Sequence, residues 1–317
     1  MKSLDKIHQL KDNIYNSLTS LIDADYILLD VPYYTNIGDT LIWEGTREFL
    51  KSKPHKCLYT ASVETYKYRQ LPKEIVILLQ GGGNFGDLWR RHQDLRQEVI
   101  KSYPNNKIIV LPQTVFYKDD NIFNEDAKVL NSHKNLYICV RDTKSLEYLK
   151  GKLVCNLLLV PDMAFCISQK TLNRHKIKET DKTLFLKRND PELNEYDFHS
   201  YIKEDEGLLH IGDWPTMEQQ FKTKTDLDKL LWHKERLGRI PDIFADWVFR
   251  PFQVRKGIEF VSQYKKVYTT RLHVAILSLL LDKDIIFFDN SYGKNSSFFD
   301  TWLQDVDKLN FIRAHKK

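Results

Sequence analysis

The chain has 317 residues, 42% of them hydrophobic and 29% charged, with a formal net charge of +5 dispersed along its length. That is a globular composition with room for one large domain or two ordinary ones. It gives no basis for nucleic-acid binding and suits an anionic small molecule. The first 20 residues are polar and charged, unlike a signal peptide, and every apolar run falls far short of the ~20 residues that span a bilayer. Four cysteines, Cys57, Cys139, Cys155 and Cys166, show no Cys-x-x-Cys spacing. They read as reduced thiols of a cytoplasmic protein, not as a zinc site or disulfide framework.

Taken in order, residues 5–22 space their apolar side chains for one helical face. Strands are expected at 26–31, 56–61, 75–79, 107–111, 136–140 and 156–160, with helices at 40–51, 88–103 and 143–149. Pro112 should stop the fourth strand. Residues 168–180 are polar and basic and read as a linker. The pattern then restarts, with strands at 184–186, 208–211, 266–270 and 285–288. Helices are expected at 225–237, 242–249, 257–263, 271–281 and 295–309. Residues 190–206 read as loop. Short apolar strands alternating with helices imply an α/β fold of two Rossmann-like domains with parallel sheets. The boundaries fall at 1–168, a linker 169–180, and 181–317, the last helix packing back on the first domain. A cleft between two such domains is the expected place for a site.

The polar motifs follow the carboxyl ends of these strands, the side on which open α/β sheets bind ligands. Gly81, Gly82 and Gly83 lead into Asn84-Phe85-Gly86-Asp87 and read as a tight strand-to-helix turn whose helix N-terminus would favour an anion. The spacing fits neither a dinucleotide fingerprint nor a phosphate-binding Walker loop. Asn36-Ile37-Gly38-Asp39 forms a second loop. Asp39 and Asp87 could each cap a helix, orient a hydroxyl or act as a base. Thr270-Arg271-Leu272-His273 begins a helix and joins a fixed charge to a group that titrates near neutrality. The plainer alternative is a surface ion pair for Arg271 and a satisfied buried histidine at position 273. Arg141 and Arg188 also follow strands, and an ion pair of Arg141 with Asp142 or Asp162 is the ordinary alternative. His210 is a weaker candidate. No cluster has metal-ligand spacing.

Assembled in this order, the motifs Asn36-x-Gly38-Asp39, Gly81 to Asp87, Pro112-Gln113-Thr114, Arg141-Asp142-x-x-Ser145, Pro161-Asp162 and Thr270-Arg271-Leu272-His273 resemble the polysaccharide pyruvyl transferase family. The resemblance implies a GT-B-like arrangement and transfer of the enolpyruvyl unit of phosphoenolpyruvate to a sugar, forming a pyruvate ketal, with no cofactor or metal. It implies Arg271, Arg141, His273 and Thr270 on the donor side, with His273 contacting phosphate or acting as acid. Asn36, Gly38, Gly81, Gly82, Gly83 and Asn84 would lie towards the acceptor, and Asp39 or Asp87 would serve as further catalytic groups. The acid is not fixed among Asp39, Asp87 and Asp162. The acceptor would be a surface-polysaccharide sugar or its precursor, such as a lipid-linked oligosaccharide, met at the inner face of the membrane beside glycan-assembly machinery. Two alternatives share the architecture: a glycosyltransferase using a nucleotide-sugar, and a non-catalytic subunit of an assembly complex.

Overall fold

The computed structural model describes residues 1–189, 193, 194, 196, 198–202 and 206–313. Twelve strands are described: β1 Tyr26–Leu29, β2 Cys57–Ala61, β3 Val76–Leu79, β4 Gly82–Gly86, β5 Ile108–Phe116, β6 Leu136–Val140, β7 Asn156–Leu159, β8 Thr183–Leu186, β9 Leu209–Gly212, β10 Lys266–Thr269, β11 Asp284–Phe288 and β12 Leu309–Ile312. They form two parallel sheets surrounded by helices. The first runs β2-β1-β3-β5-β6-β7, with β4 on β5, and the second β12-β11-β10-β8-β9. The central strands are mainly apolar and almost wholly buried, as strands covered on both faces must be.

One apolar cluster runs through both halves. It takes Leu28 and Ile109 from the first sheet, Leu184, Val267 and Ile285 from the second, and the helices Ile37–Lys51 and Leu272–Leu280 between them. The helix Lys294–Trp302 also crosses to the first half. There Trp302 Nε1 donates to the Arg141 carbonyl at 2.8 Å and Ser297 Oγ to Asp142 Oδ1 at 2.9 Å. Among the described residues no helix is long and apolar enough to cross a membrane.

Several local expectations need correction. The glycine stretch is not a strand-to-helix turn. Gly82–Gly86 is itself a strand paired with β5, and the next helix starts only at Arg90. Missing side chains permit this: a Cβ on Gly86, whose φ is +128°, would lie 1.8 Å from the Phe116 carbonyl oxygen. The glycine loop therefore does not present a helix N-terminus. Pro112 does not stop β5, because the ladder to β6 shifts register between Val110 and Gln113, where a missing donor costs nothing.

The expected linker contains a helix, Gln169–His175, capped by Ser168 and anchored by buried Leu172. The last helix ends at Trp302 and does not continue to 309, where a short strand, β12, begins. The predicted helix 225–237 is two pieces, Lys222–Trp232 and Lys234–Leu237. The predicted 242–249 and 257–263 run together as Ile240–Phe244, a wide turn Ala245–Phe249 and Arg250–Ser262. The loop expected at 190–206 lies in part outside the described residues, and within it Phe198–Ser200 forms a single helical turn.

Candidate functional site

Where the carboxyl ends of the two sheets face one another lies a cavity of about 460 Å³. A larger, open depression of about 600 Å³ along the polar face of the helix Ser3–Leu18 carries none of the strand-end motifs. The first half supplies Asn36, Gly38 and Asp39 after β1, then Gly81, Gly83 and Asn84 around β4. The second half supplies Arg188 after β8, Arg271 and His273 after β10, and Lys294 after β11. One wall is thus rich in amides and carboxylates, and the other in cations. That arrangement raises the local concentration of anions.

The loop after β1 is fixed by its own side chains. Asn36 caps the helix Ile37–Lys51: Oδ1 accepts the Gly38 N–H at 3.0 Å, and Nδ2 donates to Asp39 Oδ2 at 2.8 Å. The cap expected of Asp39 therefore belongs to Asn36. Asp39 sits in the first turn, where the helix field favours its charge. A Cβ on Gly38 would press on His273 at 2.9 Å from Nδ1, so the glycine lets the two halves close on the imidazole.

Arg271 is the N-cap of the helix Leu272–Leu280, and its own N–H is held by Thr269 Oγ1 at 3.0 Å. Cationic charge at this end opposes the helix field and requires a counter-charge. Asp213, just beyond β9, provides it as a two-pronged partner, with Nε donating to Oδ1 at 2.5 Å and Nη2 to Oδ2.

His273 lies in the first helical turn. Its Nε2 is 3.2 Å from Asp162 Oδ2 and 3.3 Å from Arg141 Nη1. Arg141 in turn donates from Nη1 to the same Asp162 oxygen at 2.5 Å and from Nε to Thr114 Oγ1 at 2.8 Å. Arg141 and Asp162 are fully buried. Burial alone would raise the Asp162 carboxyl. The charges of His273 and Arg141, with hydrogen bonds from His273 and the Ala164 N–H, outweigh it and hold the group well below the carboxylate range. Against the Asp162 carboxylate, which can only accept, His273 Nε2 acts as a donor, and the 3.3 Å approach of Arg141 Nη1, itself a donor, to the same nitrogen is then a contact and not a hydrogen bond. Among the described residues Nδ1 has no hydrogen-bond partner, yet it is not sealed in, so it is open to the cavity.

Other expected site residues are placed elsewhere. Arg141 lies beneath the lining, with Nη2 buried and unpartnered 3.2 Å from where a Gly83 Cβ would be. Thr270 is buried between strands, its Oγ1 accepting the Arg188 N–H at 3.0 Å. Gly82 is off the lining, inside the β4 ladder. Asp87 is outside the cavity: its Oδ2 accepts the N–H groups of Lys118 and Asp119 at 2.8 and 2.9 Å and ties β4 to the end of β5. His210 bonds the Tyr264 hydroxyl, also away from the cavity. Among the described residues no group of three or more His, Cys, Asp or Glu side chains could hold a metal.

Sequence reasoning missed Asp30, His92, Trp89 and Lys294, all of which line the cavity. Asp30 was within reach, since it directly follows the apolar run of β1. His92 and Trp89 lie near the start of a helix and carry no strand-end signal.

A family model described as polysaccharide pyruvyl transferase matches residues 36–292. The chain is 30% identical over 315 residues to the Bacillus subtilis (strain 168) protein named "Putative pyruvyl transferase EpsO", covering 96% of this chain and 95% of that one. It is 27% identical over 289 residues to Pyruvyl transferase 1 of Schizosaccharomyces pombe, covering 87% of this chain and 69% of that one. The crystal structure of KP1_0663 from Klebsiella pneumoniae shares the fold, with a TM-score of 0.64 at 22% identity over 96% of this chain and 99% of that one. With the family match spanning both walls of the cavity, the chain belongs to the polysaccharide pyruvyl transferase family.

Proposed function

We propose that this protein transfers the pyruvyl unit of phosphoenolpyruvate to a sugar of a surface polysaccharide or its precursor, closing a pyruvate ketal across two hydroxyls. The observation that carries the reading is the cation-lined cavity between the carboxyl ends of two parallel sheets, with the Asp162–His273 pair at its edge, in a chain of this family. In this reading the two sheets are the halves of a GT-B-like enzyme, with the donor held by the second half and the acceptor by the first. The enzyme works in the cytoplasm on acceptors presented at the inner face of the membrane.

Phosphoenolpyruvate carries a phosphate and a carboxylate on three carbons, so it needs several cationic donors at close range. Arg271, Arg188 and Lys294 supply them. Arg141 acts from beneath through Asp162 and His273, and its buried position suits electrostatic support more than direct contact. Protonation of the methylene carbon turns C2 into a cationic centre. Asp162 stabilises the imidazolium of His273, whose Nδ1–H is the proton donor. A sugar hydroxyl attacks C2, phosphate departs with its bonding pair, and the second hydroxyl closes the ring. Asn36 and Asp39 orient the sugar hydroxyls as donor and acceptor. Asp87 and Thr270 have no step, since both lie off the cavity.

Calorimetric titration of phosphoenolpyruvate into the purified protein tests the reading, with uridine diphosphate as the rival ligand. Saturable phosphoenolpyruvate binding is expected. Arg271→Ala should weaken it ten- to roughly a hundredfold, the worth of a charge-assisted pair. Arg271→Lys keeps the charge facing Asp213 but loses the planar fork, and should fall between. Tight binding of uridine diphosphate with none of phosphoenolpyruvate would overturn pyruvyl transfer in favour of glycosyl transfer.

A further inference from the structure

The cavity has a second imidazole–carboxylate pair, on the wall facing the cations. His92 Nδ1 lies 2.6 Å from Asp30 Oδ1. The other Asp30 oxygen accepts from Arg96 Nη2 at 3.0 Å. Asp30 and Arg96 have fully buried side chains, while that of His92 is 15% exposed. Arg96 is itself fixed by Gln93 Oε1 at 2.8 Å and by both oxygens of Asn84. The carboxylate is thus clamped before it meets the histidine.

Asp30 adopts a positive φ of 64°, one of two non-glycine residues among the described residues that do so. Asp tolerates this region better than most side chains, but the conformation still has to be held by its surroundings. It turns the chain at the end of β1 so that the carboxylate meets the helix Arg90–Ser102, where His92 and Arg96 stand four residues apart on one face.

The ring geometry sets the proton inventory. The Asp30 carboxylate accepts, so Nδ1 of neutral His92 carries the hydrogen and Nε2 carries the lone pair. Among the described residues Nε2 has no hydrogen-bond partner, yet it is not sealed in, and His92 lines the cavity. An imidazole oriented through one nitrogen by a buried carboxylate, with the other nitrogen open to a substrate-sized space, is built to take a proton.

We propose that His92 is the general base for the first acceptor hydroxyl and that Asp30 is its positioning residue. This rests on the pyruvyl-transfer reading above. His273 gives a proton to the methylene carbon of phosphoenolpyruvate. The hydroxyl oxygen bonds to C2 as its proton passes to His92 Nε2. The C2–O bond to phosphate then breaks, its electron pair leaving with phosphate. The second hydroxyl bonds to C2, and its proton ends on the phosphate as hydrogen phosphate. One proton enters the carbon, two leave the hydroxyls and one departs with phosphate. The two histidines return to their starting states by exchange with solvent. The groups around His92 are Asp30 and Arg96 behind it, Tyr34 edge-on at 6.1 Å, Asp39 on the same wall, and Arg271, Arg188 and Lys294 across the cavity.

The test uses the full chain as wild type, His92→Asn, His92→Gln and Asp30→Asn. Phosphoenolpyruvate binding is measured by calorimetry. Phosphate release is followed against pH with 4-nitrophenyl glycosides bearing free 4- and 6-hydroxyls, and with water alone as acceptor. Both His92 variants should bind phosphoenolpyruvate like the wild type, which also reports their folding. They should release phosphate at least about a hundredfold more slowly and lose the acidic limb of the kcat/KM profile. Asp30→Asn should keep that limb but displace it, which a merely structural role would not do. Phosphate release within a few-fold of wild type in a His92 variant, with the limb intact, overturns the base and leaves pyruvyl transfer standing. A wild type that neither binds phosphoenolpyruvate nor releases phosphate overturns the transferase reading and this assignment with it.

Discussion

The cavity is flanked by two clusters built from the same three residue types and assembled differently. Asp30, His92 and Arg96 all belong to the first half, and His92 and Arg96 share one helix. Asp162 and Arg141 also come from the first half, but His273 comes from the second, across the interface. The first cluster is complete in its own half. The second exists only while the halves are packed together. A preorganised pair suits the acceptor, which must be met in one geometry. On the proposed mechanism, a pair divided between the halves ties proton donation to their packing against one another.

Burial sharpens the contrast. Arg141 has Asp162 as its carboxylate partner and otherwise the Thr114 hydroxyl, whereas Arg96 has Gln93 and Asn84 besides Asp30; among the described residues each keeps one buried nitrogen without a partner, Nη2 of Arg141 and Nε of Arg96. The largest stability effect is therefore expected from Asp162→Ala, which strands a buried guanidinium and should cost about 3–5 kcal/mol in urea unfolding. Asp30→Ala leaves Arg96 with its other acceptors, but Ala tolerates the positive φ less well than Asp, so a loss of about 1–3 kcal/mol is expected. Equal losses in the two variants would break the comparison.

Acid probes the Asp162 cluster directly. The Asp162 carboxyl is held below its ordinary value of 3.8 in the folded chain. A depressed carboxyl contributes stability that is fully present above its unfolded value and is lost as pH falls through the folded one. Between about pH 5 and pH 3 the urea midpoint of the wild type should fall further than it would if Asp162 titrated normally, because the unfolded chain takes up a proton there that the folded one does not. Asp162→Asn should lower stability most near neutral pH and converge on the wild type in strong acid. A constant offset between the two at every pH would show that the carboxylate charge is not what stabilises this cluster.

Much of this was legible in the sequence because it obeys local rules. Apolar runs of four or five residues mark the parallel strands, and charged or glycine-rich residues after them mark the edge that binds. Asn36, Gly38, Asp39, Gly81, Gly83, Arg271 and His273 all line the cavity on that basis. The same rule misjudged depth. Arg141 and Thr270 follow strands as regularly as Arg271 does, but neighbouring elements cover them. Asp162 and Trp302 close over Arg141, and the β8–β10 pairing closes over Thr270. His92 escaped because its partner lies 62 residues away and meets it only through the left-handed turn at Asp30.

The smallest expected stability change is also the most discriminating for the floor of the cavity. A methyl group on Gly83 would lie 2.6 Å from Lys294 Nζ and 3.2 Å from Arg141 Nη2, where the cationic wall approaches the β4 backbone most closely. The Lys294 ammonium ends a flexible side chain and can retreat, so Gly83→Ala should leave stability within about 0.5 kcal/mol. On the proposed function, its retreat carries a charge away from phosphoenolpyruvate. Phosphoenolpyruvate affinity should fall roughly tenfold, the loss of one charge-assisted contact. Lys294→Met in the Gly83→Ala background should then add little, because the contact is already gone. Additive losses would mean that the methyl group acts through Arg141 beneath the floor, and that the buried cation takes a direct part in holding the donor.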